Sequence, residues 1–380
     1  MPAAIDAVEL TRDLIRRPSV TPADAGAMAI VEEMLSNLGF ACRRMRFGEI
    51  ENLYARYGTG SPNLCFAGHT DVVPVGDAAA WSKDAFGAEV VDGVLIGRGA
   101  VDMKSAIAAF AAAAADAIAA GRVTGSLSFL ITGDEEGVAT HGTKLVVEAL
   151  AADGEVIDHC VVGEPTSAEI FGDMVKVGRR GSINAEIVVE GVQGHVAYPH
   201  RAANPARPLI KMLTALQERR LDEGYPEFQP SNLEVTMIEM PNAATNVIPG
   251  VARARLNIRF NPNHTGQQLA DWFDLEAWRA SVDFGGKITV TSSISGEAFL
   301  TERGGFTELV AAAVADVTGR EPELSTSGGT SDARFIRALC PVIEVGLVGK
   351  TMHQVDERAP VEEIRTLQRV YARIIERYFA

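Results

Sequence analysis

Ser126-Leu127-Ser128-Phe129-Leu130-Ile131-Thr132-Gly133-Asp134-Glu135-Glu136-Gly137 joins an apolar, β-branched run to three consecutive carboxylates. The first part reads as a buried strand. Adjacent acids at the end of such a strand repel one another, so a positive charge is expected beside them. A solvated acidic turn is the ordinary alternative. It loses ground because three other strand-like segments also lead into residue types that ligate metals.

Working outward, residues 64–67 form a short apolar run that ends in Gly68-His69-Thr70-Asp71. His159-Cys160-Val161-Val162 runs into Gly163-Glu164, and the apolar segment 342–347 shortly precedes His353. Asp102 stands before an alanine-rich stretch, 105–120, that reads as a helix stopping at Gly121. In open α/β sheets, ligands bind beyond the carboxyl ends of the strands. Taken singly, a His is ordinarily a hydrogen-bonding group and an Asp before a helix is ordinarily a cap. Their convergence on one sheet edge is the signal. Two histidines and three carboxylates hold two metal ions if one carboxylate bridges them. A further carboxylate must stay free to move protons. Glu135 and Glu136 suit that division, because neighbours on extended backbone point opposite ways. Spacing does not say which does which.

A chain of 380 residues suggests about two domains. With 47% hydrophobic and 22% charged residues it can bury a sizeable core. The net charge of −15 argues against general nucleic-acid or anionic-membrane binding. Cys42, Cys65, Cys160 and Cys340 form no Cys-x-x-Cys pair and read as free, mostly buried thiols. Residues 1–17 alternate acids and bases, unlike a signal peptide, and no apolar run reaches membrane-spanning length. A reducing cytosol is the expected setting.

Residues 3–17, 23–38, 143–151 and 306–318 read as helices and 53–57 as a strand. From Gly178 the pattern changes to strands at 182–190, 231–240, 252–260 and 287–295, with helices at 206–220 and 267–280. The order strand, helix, strand, strand, helix, strand is the ferredoxin-like pattern. It predicts an α+β domain at 179–295 inserted into an α/β domain made of 1–178 and 296–380.

Gly68-His69-Thr70-Asp71-Val72-Val73-Pro74, Gly97-Arg98-Gly99-Ala100-Val101-Asp102-Met103-Lys104, Gly133-Asp134-Glu135-Glu136-Gly137 and Gly163-Glu164-Pro165-Thr166 resemble the successive motifs of the dinuclear zinc M20 aminoacylase/carboxypeptidase family. Gly178-Arg179-Arg180-Gly181-Ser182, Gly194-His195-Val196-Ala197-Tyr198-Pro199-His200 and Ser327-Gly328-Gly329-Thr330-Ser331-Asp332 are similar to its members that cleave the succinyl amide of N-succinyl-LL-2,6-diaminopimelate, a step of diaminopimelate and lysine biosynthesis. The resemblance covers essentially the whole chain. It implies a catalytic domain with a central mixed sheet flanked by helices, and an inserted dimerisation domain that closes as a lid. It further implies two Zn2+ per subunit, with Co2+ able to substitute, one ion on His69, Asp102 and Glu164 and the other on Asp102, Glu136 and His353. Asp102 would bridge, Glu135 would act as general base and acid, and Asp71 would orient the His69 ring. His195 would cross a homodimer interface to stabilise the oxyanion. Arg179, Arg259 and Thr330 would hold substrate carboxylates, with Tyr198, Asn246, Gly328 and Gly329 beside them.

Three positions depart from the family pattern: Ser105 in place of Gly, Ala85 within a common Asp-Pro-Phe, and Gly349 where relatives carry Asn. His141, His159, His200 and His264 have no matching context and read as structural or surface groups. The run 325–331 lacks a Gly-x-Ser-x-Gly elbow, and no His-Glu-x-x-His helix occurs. Two rival readings remain: another M20 amidohydrolase, such as an acetylornithine deacetylase or a metallocarboxypeptidase, and a metal-free binding protein on the same scaffold.

Overall fold

A computed structural model describes residues 5–380, so the start of the helix expected at 3–17 lies outside the described residues. The chain forms two compact units. One comprises residues up to Gly178 together with Leu300–Ser325 and Ser331–Ala380; the other comprises Arg179–Phe299 and Thr326–Thr330.

The first unit is built on a mixed eight-stranded sheet. Its order is Ala41–Phe47, Ile50–Tyr57, Ser126–Thr132, Asn63–His69, His159–Val162, Val342–Glu344, Met174–Lys176, Glu323–Ser325. The strand expected at 126–132 has those bounds, and its seven residues are all buried. Ser126–Thr132, Asn63–His69, His159–Val162 and Val342–Glu344 are mutually parallel neighbours. Their carboxyl ends therefore open on the same edge, which is what gathers the loops bearing His69, Glu135, Glu164 and His353.

Helix Lys104–Ala119 packs beneath that sheet, buried on nearly every face, as an evenly apolar helix must be. Phe110 stacks on Phe66 at 4.6 Å, and Phe129 and Tyr371 meet Phe110 edge-on at 5.3 Å. The helix begins two residues after Asp102, which is consequently a loop residue and not a cap. Two glycines make room at the junction. A Cβ on Gly68 would come within 2.5 Å of the Met103 side chain, and one on Gly163 within 2.7 Å. Each immediately precedes a candidate ligand, so His69 and Glu164 are brought close to Asp102 by the absence of two side chains.

The second unit is a four-stranded antiparallel sheet ordered Asn232–Glu239, Val251–Phe260, Gly181–Glu190, Lys287–Gly296. Helices Ala206–Glu218 and Gly266–Ser281 cover one face, burying Ile183, Ile187, Leu256, Ile258, Leu216 and Phe273. This is the ferredoxin-like order. The unit extends to Phe299, past position 295, and also takes in Thr326–Thr330. That segment is fastened within the unit by a Thr326 hydroxyl bond to the Glu227 carbonyl. Arg179 Nη1 adds bonds to the carbonyls of Ser327 (3.4 Å) and Gly329 (3.3 Å).

Among the described residues no helix is long and apolar enough to cross a membrane. Cys65, Cys160 and Cys340 are buried free thiols and Cys42 is half-buried.

Candidate metal centre

Asp102 is the pivot of the site. One carboxylate oxygen, Oδ1, lies 3.1 Å from His69 Nε2, and the other, Oδ2, lies 3.2 Å from His353 Nε2. Glu164 Oε1 completes the first side at 3.8 Å from His69 Nε2. Glu136 Oε1 completes the second at 2.9 Å from His353 Nε2. Within each trio, His69–Asp102–Glu164 and Asp102–Glu136–His353, one donor atom per residue lies within 4.8 Å of the others.

The surrounding hydrogen bonds aim these groups. His69 Nδ1 donates to the Asp71 carbonyl oxygen at 2.9 Å, which leaves Nε2 as the ring atom facing Asp102. The Asp71 carboxylate is farther from the ring, at 3.6 Å. It instead accepts from the backbone N–H groups of Glu135 (3.3 Å) and Glu136 (3.0 Å), so one residue braces both the ring and the acidic loop. Asp134 tightens that loop from the other side, accepting from Ala139 and His141 N–H. The loop thus holds its shape through Asp71 and Asp134, leaving the Glu135 side chain outside both trios.

Electrostatically the cluster is short of positive charge. Burial pushes Glu164 well above the usual carboxylate range, and Asp102 and Glu135 push it further. Burial likewise raises Glu135 well above its ordinary value, with Asp332, Glu136 and Asp102 adding to the shift against the pull of His69. Burial alone would raise Asp102, yet hydrogen bonds to His353 and His69 hold it well below its ordinary value. Glu164 Oε1 is buried without a hydrogen-bond partner. A buried carboxylate oxygen left unpaired is costly, and a cation between it, His69 and Asp102 would satisfy it. Imidazole and carboxylate donors, sharing one central carboxylate, fit a pair of divalent metal ions.

Hydrogen bonds to Asp102 and Glu136 raise His353 to about 10. Burial opposes the charge on His69, but its hydrogen bond and charge contact with Asp102 carry it well above its ordinary value. Both shifts favour the doubly protonated, cationic ring over the neutral one in the metal-free protein. A metal ion needs the ring lone pair, so loading must expel those protons, and affinity must fall as pH falls. For Zn2+ uptake at pH 7, calorimetry in buffers of different ionisation heat is expected to report release of at least about one proton per ring. A heat independent of buffer would contradict this.

The other expected residues form two groups inside the second unit. His195 pairs with Val247 in a two-residue ladder, Val196 N–H donates to the Asn246 carbonyl at 3.1 Å, and Tyr198 stands 5.7 Å from the His195 ring. His195 is exposed, and its Nδ1 accepts from Ala197 N–H at 3.1 Å, which leaves Nε2 uncommitted. In the second group, buried Arg179 reaches Ser327 and Gly329 in the segment that also carries Gly328 and Thr330. Gly328 has φ +105°, and a Cβ there would lie 2.5 Å from Arg179 Nη1, so glycine is required. Arg259 is half-buried, and burial together with the nearby charge of Arg180 lowers its pKa. Arg180 reaches Asn232 Oδ1 at 3.0 Å, and among the described residues neither guanidinium meets a carboxylate. Without the family resemblance, Arg179, Arg180, Arg253, Arg255 and Arg259 suit a solvated charged face in the sequence; the Arg180 bond to Asn232 is seen only in the fold.

His159 bonds Tyr378 and lies over Phe306, while His264 bonds Asp222, as structural groups do. Ser105 donates its hydroxyl to the Ala100 carbonyl, and the Ala85 carbonyl accepts from Arg98 N–H. Gly349 is bound by its N–H to Ser167, with only an ordinary contact to Pro165 awaiting any Cβ.

Comparison with known proteins places the chain in a family. The model of peptidase family M20/M25/M40 matches residues 65–377. A protein of Phenylobacterium zucineum named succinyl-diaminopimelate desuccinylase is 84% identical over 380 residues, covering all of both chains. One of the same name from Caulobacter vibrioides is 68% identical, covering 99% of this chain and 97% of its own. Among solved structures, an M20 family metallo-carboxypeptidase of Sulfolobus solfataricus superposes with TM-score 0.81 at 16% identity, covering 98% and 99% of the two chains. A dinuclear metal binding peptidase from the M20 family of Bacillus subtilis gives TM-score 0.72 at 15% identity, covering 98% and 97%. With the family model spanning most of its length and full-length relatives this similar, the chain belongs to peptidase family M20/M25/M40.

Proposed function

We propose that this chain hydrolyses N-succinyl-LL-2,6-diaminopimelate to succinate and LL-2,6-diaminopimelate, using two Zn2+ at the Asp102 centre, with Co2+ an effective substitute. The observation that carries the reading is the Asp102 carboxylate set between two imidazoles, each accompanied by a further carboxylate. The names of the full-length relatives supply the substrate.

Such an ion pair, when bound, acidifies water and polarises the amide carbonyl. Glu135, raised by burial and outside both donor trios, takes the proton of the attacking water. It then passes that proton to the departing amine nitrogen as the C–N bond breaks. Asp71 keeps Glu135 in place through the loop backbone and keeps His69 turned toward Asp102.

His195 has a free ring nitrogen and an exposed position, which suit donation to the oxyanion of a second subunit's substrate in a homodimer. In this proposal the second unit serves as dimerisation domain and closing lid. Arg179 and Arg259, with Arg180, Thr330, Gly328, Gly329, Asn246 and Tyr198, hold the substrate's carboxylates. The guanidiniums of Arg180 and Arg259, which meet no carboxylate among the described residues, on a chain of net charge −15 suit an anionic small molecule. The free thiols and the bacterial relatives support a bacterial cytoplasmic setting.

Rates on N-succinyl-LL-2,6-diaminopimelate, N-acetylornithine and a simple dipeptide, measured with the Zn2+-loaded protein, test the assignment. The succinyl amide is expected to be the best substrate by a wide margin; preference for either of the others would refute the reading. Arg259→Met is expected to raise KM for the succinyl substrate about 10- to 100-fold, the worth of one charged hydrogen bond. It should leave kcat much less affected. An unchanged KM would remove Arg259 from the binding site.

A further inference from the structure

Glu357 and Arg98 form a fully buried ion pair, Arg98 Nη1 to Glu357 Oε2 at 2.7 Å, and lie next to the metal centre without belonging to either donor trio. Apart from Arg98 Nε, which is buried without a hydrogen-bond partner, the pair's other polar atoms are committed to backbone. Glu357 Oε1 accepts three backbone N–H groups in the loop that carries the central carboxylate: Gly99 (3.1 Å), Val101 (2.8 Å) and Asp102 itself (3.1 Å). Arg98 Nη2 donates to the carbonyls of Pro74 (3.3 Å) and His353 (3.4 Å). The Arg98 guanidinium lies 5.4 Å from the centre of the Trp81 ring, which shields it. The backbones of Asp102 and His353, 251 positions apart (353 − 102) in the chain, are thus joined through one carboxylate and one guanidinium.

We infer that Arg98 and Glu357 are positioning residues that set the separation of Asp102 and His353, and with it the affinity of the Asp102–Glu136–His353 metal position. The inference rests on the metal-centre reading above. His353 most needs such support. It sits at φ +62°, where a non-glycine residue is held only by its surroundings, and it is the exposed member of its trio. A planar guanidinium fixes direction as well as charge, and a carboxylate that accepts three convergent N–H groups fixes a loop with little slack. Apolar groups in place of the pair would leave the three N–H groups of the Asp102 loop without their acceptor, so the pair is part of what holds that loop in its geometry.

The test is Zn2+ uptake by the metal-free full chain, read by competition with a chromophoric chelator. Glu357→Gln keeps the shape and removes the charge; Arg98→Lys keeps the charge and removes the fork. His353→Ala marks which of the two binding steps belongs to its position. Near-UV circular dichroism establishes that each variant is folded, and Arg98→Lys carries the test if Glu357→Gln is not. Expected is a loss of about tenfold or more in the step that His353→Ala abolishes, and a smaller change in the other. Unchanged affinity at both steps, or an equal loss at both, overturns the positioning role. If the unsubstituted protein takes up no pair of ions, the metal-centre reading fails and this inference falls with it.

Discussion

Glu135→Gln is expected to lower kcat by about 10²–10⁴-fold, at the upper end because one side chain serves as base and then as acid. Two Zn2+ should still bind, since the donor trios are completed by Glu136 and Glu164 without Glu135. KM should stay close to its original value, because Glu135 has no part in holding the substrate carboxylates. The fold of the acidic loop should survive as well: it depends on the backbone N–H groups of Glu135 and Glu136 donating to Asp71, and not on the Glu135 carboxylate. Steady-state rates and elemental analysis of the same sample check both halves. Retained turnover would transfer the proton-moving role to another residue; lost metal would make Glu135 a ligand.

Asp102→Asn carries the second large effect, and it differs in kind. Asp102 is the one residue common to both trios, and its two oxygens face different imidazoles. An amide of the same shape has one oxygen and no charge, so it cannot bridge two cations. Both affinities should therefore fall by more than the ~10–100-fold typical of losing a supporting group beyond the ligands. Turnover at ordinary metal concentration should be at background. In the metal-free variant His353, now at about 10, loses its largest stabilising partner and should fall toward its ordinary value. Nuclear magnetic resonance titration of the ring checks that shift, and metal analysis checks the stoichiometry. A variant that still held two ions tightly would show that Asp102 does not bridge.

Glu135 and Asp102 also mark two ways in which a site is written into a chain. That both are candidates for a metal site was readable from residue type and from position beyond strand-like runs. Spacing did not divide Glu135 from Glu136, which the family resemblance alone did; in the fold the two differ because His353 stands beside Glu136 at 2.9 Å. Asp71 is similar: the resemblance implies that it orients the His69 ring, and in the fold its carbonyl meets the ring while its carboxylate accepts from the acidic loop.

Local pattern determined the element types by itself. A short apolar, β-branched run marks Ser126–Thr132, and an alanine-rich run marks Lys104–Ala119, because both signals are carried by neighbours along the chain. Strand Ala41–Phe47 escapes such reading, since this sheet-edge strand exposes Arg43, Arg44 and Arg46 to differing degrees. The candidate donor residues, with Glu135 and Glu136 undivided, and the α/β plus ferredoxin-like division were also legible in the bare residues. What tertiary structure alone decided was the distances: Asp102 between two histidines, Thr326–Thr330 joined to the second unit, and the Glu357–Arg98 pair linking the Asp102 loop to the His353 carbonyl. Periodicity reports which face of an element is buried. It carries no information on which distant element will be packed against it, and that choice is made by side-chain volume, down to the two missing Cβ atoms at Gly68 and Gly163.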